Sequence, residues 1–308
     1  MKPLLINIVG PTASGKTALA VRLAQHLGTE VVSADSRQVY KEMRIGTAVP
    51  TEEERQGIRH HLLQHKSIHD TYTVKDFERD TLAVLAEIFN RVPVAIMAGG
   101  TGLYFRAVND GLDEMPDVPE GIRQTLNMEW KNQGLAPLLE ELRLRDPVYY
   151  ETVDRHNPVR IIRALEVIRF TGKSFSSFRT GRSVRRPFRS LWVGWRYERP
   201  FLYERINRRV REMDRMGLED EVRQLYPYRH LNALQTVGYR EWFPYFEGEI
   251  SRERVLEEIA KNTRRYAKRQ CTWFGKNKRI RWFDPQEEQA ALMEYVLRAL
   301  EGKSSFLP

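Results

Sequence analysis

Four short apolar runs punctuate the chain, and the stretches between them repeat hydrophobic residues every three or four positions. The runs are Leu4–Val9, 30–33, 92–98 and, far downstream, 191–195. Each is rich in Val, Ile or Leu, or aromatic in the last case, and each is bounded by Gly, Pro or polar residues. Such runs predict strands buried on both faces. The helices follow from period. Lys16–Leu27 carries Ala20, Leu23, Ala24 and Leu27 on one stripe, with Gly28 as a stop, and 77–89 takes its apolar face from Phe77, Leu82, Leu85, Ile88 and Phe89. Strands alternating with helices predict an α/β fold: a parallel sheet flanked by helices on both faces.

The pattern changes after Gly111. An acidic, proline-bearing stretch at 113–120 leads into helical periodicity over 122–132, 137–145 and 157–170. In the last of these Asn157 is placed as N-cap, Pro158 at the first helical position and Gly172 as the stop. Residues 174–190 are rich in Ser and Arg and read as a mobile connector. The predicted organisation is a nucleotide-binding-type core of residues 1–112 and 188–308, with an all-helical domain, 113–187, inserted into it. From Arg199 onward the chain is mostly helical and basic, with a candidate strand at 279–283.

Composition narrows this picture. A chain of 308 residues, 41% hydrophobic and 30% charged, can bury one large domain or a domain plus a smaller insert. A net charge of +9 favours a polyanionic partner, nucleic acid among them, although a basic balance also serves solubility. The single cysteine, Cys271, excludes an intramolecular disulfide and a Cys-based zinc finger, and it fits a reducing, cytoplasmic compartment. The run at 4–9 is too short for a membrane span or a signal-peptide core. His60, His61, His65 and His69 lie in a polar, loop-like stretch without the helical spacing and acidic partner of a zinc site, and are set aside as metal ligands. With no heptad or obvious apolar interface, a monomer is expected.

The chemistry begins after the first strand. Gly10-Pro11-Thr12-Ala13-Ser14-Gly15-Lys16-Thr17 is a complete P-loop, with a strand before it and an amphipathic helix after it. Such a turn aims backbone N–H groups at a pyrophosphate at the positive end of the helix dipole. Lys16 adds charge, and the Thr17 hydroxyl is the expected Mg²⁺ ligand. Most such loops hold ATP or GTP for phosphoryl transfer, but any pyrophosphate ester fits the same geometry. Asp35 stands just past the second strand, at the sheet edge that carries ligands in open parallel sheets. Position alone leaves three roles open: a helix cap, a water-mediated Mg²⁺ ligand, or a base for a nucleophile. Gly99-Gly100-Thr101-Gly102 ends the third strand, either as a close approach to a ligand or as a tight turn. That strand lacks the terminal aspartate of a motor-type ATPase. There is also no Asp-Asp-x-x-Asp run to bind an allylic diphosphate through metal ions.

The ordered set of motifs resembles the bacterial tRNA dimethylallyltransferase family. The matching blocks are the P-loop, Asp35-Ser36-x-Gln38-Val39-Tyr40, Ile45-Gly46-Thr47-Ala48, Gly99-Gly100-Thr101-Gly102-Leu103-Tyr104, Arg160-Ile161-Ile162-Arg163-Ala164-Leu165-Glu166, Val237-Gly238-Tyr239-Arg240 and Lys268-Arg269-Gln270-x-Thr272-Trp273. The resemblance implies a P-loop NTPase-like fold. It also implies transfer of a dimethylallyl group from dimethylallyl diphosphate to N6 of adenosine 37, beside the anticodon of tRNAs reading codons that start with U. Carried over to this chain, Asp35 is the general base, Lys16, Thr17 and Arg209 engage the diphosphate with Mg²⁺, and Thr101 lies at the reacting centre. Contacts to the tRNA anticodon stem-loop fall to Asp35, Ser36, Arg37, Gln38, Thr101, Arg123, Val159, Arg160, Ile161, Ile162, Arg163 and the block Val237, Gly238, Tyr239, Arg240. Apart from the resemblance, Arg160 and Arg163 read as a solvated helix face, and Lys261, Arg264, Arg265 and Lys268 as a solvated stripe or a helix junction. The alternative activity is that of a P-loop small-molecule kinase, with ATP in the cradle and Asp35 as base for a substrate hydroxyl.

Overall fold

The computed structural model describes residues 2–181 and 183–302; Arg182, inside the stretch read as a connector, lies outside them. In chain order the elements of the first part are β1 (Leu4–Val9), α1 (Lys16–Leu27), β2 (Val31–Ser33), α2 (Glu52–Arg55), β3 (His60–His61), α3 (Val74–Phe89), β4 (Val94–Gly99) and α4 (Gly102–Asp110). Next come α5 (Glu120–Gln133), α6 (Ala136–Arg145), α7 (Pro147–Thr152), α8 (Pro158–Thr171) and α9 (Phe175–Phe178). The chain then returns through β5 (Arg189–Trp195), α10 (Arg199–Arg215), α11 (Leu218–Leu225), α12 (Phe243–Phe246), α13 (Arg252–Gly275), β6 (Arg281–Phe283) and α14 (Gln289–Leu300).

Six strands form one sheet in the order β3-β2-β4-β1-β5-β6, and every pairing is parallel. The expected parallel sheet flanked by helices is therefore present, with β1 at its centre. Both faces of β1 are buried, which is why its sequence reads as a run rather than an alternation. Leu4, Ile6 and Ile8 pack with Leu19, Leu23, Phe283 and Val296. Leu5 and Val9 pack on the other side with Phe77, Leu85, Phe105 and Trp192. The one polar residue of β1, Asn7, is fully buried, and its amide donates to the Leu191 carbonyl (3.2 Å) and to Asn109 Oδ1 (3.2 Å). Asn109 returns a bond to Asn7 Oδ1 at 3.0 Å. A buried amide satisfied in this way costs the core little.

The chain folds into two compact units, one of residues 1–109 with 185–308 and the other of residues 110–184. The sequence pattern places both boundaries three residues later. Helix α4 ends at Asp110, and on the return Arg186 already bonds Glu78 and the Ala107 carbonyl, so the chain is part of the core before β5 starts. The helical unit is built around α8, whose Ile161, Ile162, Leu165 and Ile168 pack with Leu126, Leu138, Leu142 and Tyr149. Its caps are those the sequence specifies, Asn157 accepting from the Arg160 N–H and Gly172 left-handed at φ 72°. The expected connector holds a short helix, α9, with Phe175 buried in this unit. His60 and His61 form the edge strand β3 rather than a loop, and His61 shares a hydrogen bond with Glu30.

Candidate active site

The cradle is made by the way the chain leaves β1. Gly10 takes φ 151°, and a Cβ there would stand 3.0 Å from the Ser14 Oγ. Gly15 is left-handed at φ 81° as the N-cap before α1, so both glycines are required by the turn itself. The Lys16 ammonium donates to the Pro11 carbonyl at 2.5 Å, across the mouth of the loop. Two later helices brace the loop from outside. From α10, Arg205 Nε donates to the Ala13 carbonyl at 2.7 Å, while α13 places Gln270 Oε1 at 2.8 Å from the Thr12 N–H.

A cleft of about 540 Å³ opens over the loop, entirely within the sheet-bearing unit. It is lined by residues 12–18 of the cradle, 35–38 from the end of β2, Arg205 and Arg209 from α10, 235–238 and Arg240, and Tyr266, Arg269 and Gln270 from α13. Asp35 Oδ1 accepts the Arg37 N–H at 2.9 Å, which fixes the carboxylate; Oδ2 has no donor among the described residues. Thr101 is bonded onto this edge: its N–H donates to the Ala34 carbonyl (3.1 Å), and its Oγ1 accepts the Ser36 N–H (3.0 Å). The Gly99–Gly102 segment is a tight turn packed on the backbone that leaves β2, since a Cβ on Gly99 would lie 2.1 Å from the Ala34 oxygen.

Electrostatics follow from this enclosure. Burial pushes the Lys16 ammonium down to about 8, against the opposing pull of the Asp35 charge and with help from Arg209. Arg209 is lowered by burial too, with Glu54 and Glu212 countering, and it has no hydrogen-bond or ion-pair partner among the described residues. Tyr266 is raised by burial and then by Asp35, so its hydroxyl stays protonated beside Thr101. Lys16, Arg209 and the P-loop therefore line a cleft that Asp35 also lines. A pyrophosphate held in the cradle would favour the protonated form of Lys16, so its affinity is expected to fall as pH rises through about 8. Calorimetric titration from pH 7 to 9.5, with Lys16→Met as reference for the titration of pyrophosphate itself, reads that component. Equal pH slopes in the two proteins would contradict it.

Several residues expected to meet RNA have other duties. Ile161 and Ile162 are core residues of the helical unit, and Tyr239 is fully buried, so these three side chains are corrected from RNA contacts to packing. Tyr239 fills the space above Gly46, where a Cβ would stand 2.5 Å from its ring, and donates to Glu221 Oε1 at 2.7 Å. The same carboxylate caps the N–H groups of Arg44, Ile45 and Gly46. Gln38 spends its amide on the Thr47 and Ala48 carbonyls. Arg37 donates to the carbonyls of Asn232 and Ala233. In the helical unit Arg123 and Arg163 both grip the buried Glu166, Arg123 at 2.6 and 2.8 Å. Burial raises that carboxyl, but the two arginines outweigh it and hold it below the ordinary range. Arg160 and Val159 are exposed on α8. Of the basic stripe, Arg264 bonds Asn207 of α10 at 2.7 Å and so joins two helices, whereas Lys261 pairs with Glu258 within α13.

Sequence reasoning passes over Arg205, Glu221 and Tyr266 as site residues. The only local signal is Arg205 one helical turn before Arg209.

A P-loop at the end of the central strand of a parallel sheet, facing a carboxylate across one cleft, defines a P-loop protein with room for a second substrate. The model of the IPP transferase family matches residues 38–278, and the chain belongs to that family. It is 49% identical over 296 residues to a tRNA dimethylallyltransferase of Christiangramia forsetii, covering 96% of this chain and 98% of the relative. Among solved structures it is similar to the full-length tRNA isopentenylpyrophosphate transferase of Bacillus halodurans, at TM-score 0.73 and 36% identity over 98% of each chain. A eukaryotic dimethylallyltransferase acting on tRNA shares the fold at TM-score 0.81 and 24% identity, over 98% of this chain and 80% of its own.

Proposed function

We propose that this chain transfers the dimethylallyl group of dimethylallyl diphosphate to N6 of adenosine 37 in tRNAs that read codons beginning with U, releasing diphosphate. The observation that carries the reading is one cleft lined by the P-loop, Lys16 and Arg209 and also by Asp35, whose Oδ2 is open. The exocyclic amine of adenine is a weak nucleophile, because its lone pair is delocalised into the ring. It reacts with an allylic carbon, where developing positive charge is shared across the double bond. The new N6–C1 bond forms as the C1–O bond to diphosphate breaks, and Asp35 takes the N6 proton. Negative charge grows on the departing diphosphate, so the cradle amides, Lys16 and Arg209 stabilise the transition state more than the ground state.

Mg²⁺ fits the donor set. Thr17 lines the cleft and its hydroxyl has no protein partner among the described residues, so this oxygen would serve as a ligand to a hard cation. When bound, the ion adds positive charge beside the leaving group. Adenosine 37 must leave the stack of the anticodon loop to enter the cleft, at a cost of a few kcal/mol. Exposed Arg160 and Val159, with the outer faces of Arg123 and Arg163, are the candidates in the helical unit for holding the stem-loop. No helix among the described residues is long and apolar enough to cross a membrane. We assign the protein to the cytoplasm, acting as a monomer.

Incubation with labelled dimethylallyl diphosphate, Mg²⁺ and a tRNA carrying adenines at positions 36, 37 and 38 tests the proposal. Label in N6-dimethylallyladenosine is the expected product. Its absence, with ADP release from ATP on a small acceptor instead, would favour the kinase alternative, which the names of the relatives do not support.

A further inference from the structure

We infer that Gln270 is a positioning residue that clamps the pyrophosphate loop to the turn carrying Thr101, and so fixes the leaving group relative to the acceptor edge of the cleft. The inference rests on the transferase reading for its kinetic consequence, not for its geometry. Gln270 lies on α13, only 5% exposed, and spends both ends of its amide on backbone. Oε1 accepts the Thr12 N–H at 2.8 Å, and Nε2 donates to the Gly100 carbonyl at 2.9 Å. Gly100 must lack a side chain for this to happen, because a Cβ there would stand 2.2 Å from Nε2. The residue after Gly100 is Thr101, bonded through its N–H to Ala34 and through Oγ1 to Ser36, on either side of Asp35. One planar amide therefore joins the β1–α1 loop to the β4–α4 turn, and that turn is already bonded to the end of β2. The task requires a donor and an acceptor on one short side chain. Methionine matches the bulk and supplies neither.

The test uses the full chain with Gln270→Met. Inorganic pyrophosphate is titrated by calorimetry, steady-state kinetics are run with dimethylallyl diphosphate and tRNA, and anticodon stem-loop binding and thermal melting are measured alongside. The expected result is a loss of pyrophosphate affinity of about 5–20-fold, the effect of a positioned hydrogen bond removed and a buried N–H left unpaired. It comes with a fall in kcat of about 10-fold from misplacement. Stem-loop affinity stays near wild type, and the melting temperature falls by no more than the few degrees that one lost buried amide explains. Gly100→Ala, whose methyl group evicts the amide, should reproduce the loss, and the two changes together should cost no more than either alone. Wild-type pyrophosphate affinity and turnover in Gln270→Met would overturn the inference. So would a uniform loss of pyrophosphate binding, stem-loop binding and thermal stability, which is what a mere packing role gives. If wild type modifies no adenosine the transferase reading fails, and the pyrophosphate comparison still decides the clamp.

Discussion

Replacement of Asp35 by Ala or Asn is expected to lower kcat by about 10²–10⁴-fold, the range for removal of a general base, with tRNA affinity nearly unchanged. The two substitutions separate two jobs of one side chain. Asp35 Oδ1 holds the Arg37 N–H and shapes the loop, whereas Oδ2 is open to a proton. Asparagine keeps an oxygen for the loop and cannot take up a proton at that strength. Equal losses in the two variants therefore assign the effect to proton transfer. A drop confined to alanine would assign it to the shape of the 35–38 loop. Single-turnover measurement of adenosine modification at saturating substrates is the appropriate reading, since slow product release would mask a loss at the chemical step.

Arg209→Gln is the second large effect. A guanidinium without a protein partner among the described residues, depressed by burial and countered by Glu54 and Glu212, is held in the cleft at a desolvation cost that an incoming anion offsets. Its removal is expected to lower kcat by about 10²–10³-fold, the size found when one donor to a developing anion is lost. KM for dimethylallyl diphosphate should change much less, because the charge it opposes grows as the C–O bond breaks. A raised KM with unaltered kcat would mean that Arg209 binds the ground state only.

What can be read in advance follows the distance between partners along the chain. The ends of β1 and α1, the cradle between them and the caps of α8 are local features, each set by residues within a few positions of one another, and the sequence specifies them closely. Helix α4 is not legible, because its first turn is the glycine-rich segment whose conformation is fixed by Ala34. The bracing of the loop by Arg205 and Gln270 spans 192 and 258 positions, and no periodicity announces it. The pairing of Gly46 with Tyr239 explains why those two blocks occur together: one is the space the other fills. The same distinction explains the correction at Ile161 and Ile162. The motif there includes residues that build the core of the helical unit as well as residues on its surface.

The point where the helical unit leaves and rejoins the chain has a kinetic consequence. The Val184 N–H donates to the Asp110 carbonyl at 2.8 Å, so the ends of the 110–184 segment meet in a backbone hydrogen bond. Strand β1 must find β5 across a long excursion; the bond from Asn7 to Leu191 alone spans 184 positions. Closing so long a loop of flexible chain is slow and entropically costly. Helices α5 to α8 pack against near neighbours in sequence and can collapse early. Once they do, the excursion is tied off at its neck, and the sheet behaves as though its two halves were connected by a much shorter tether.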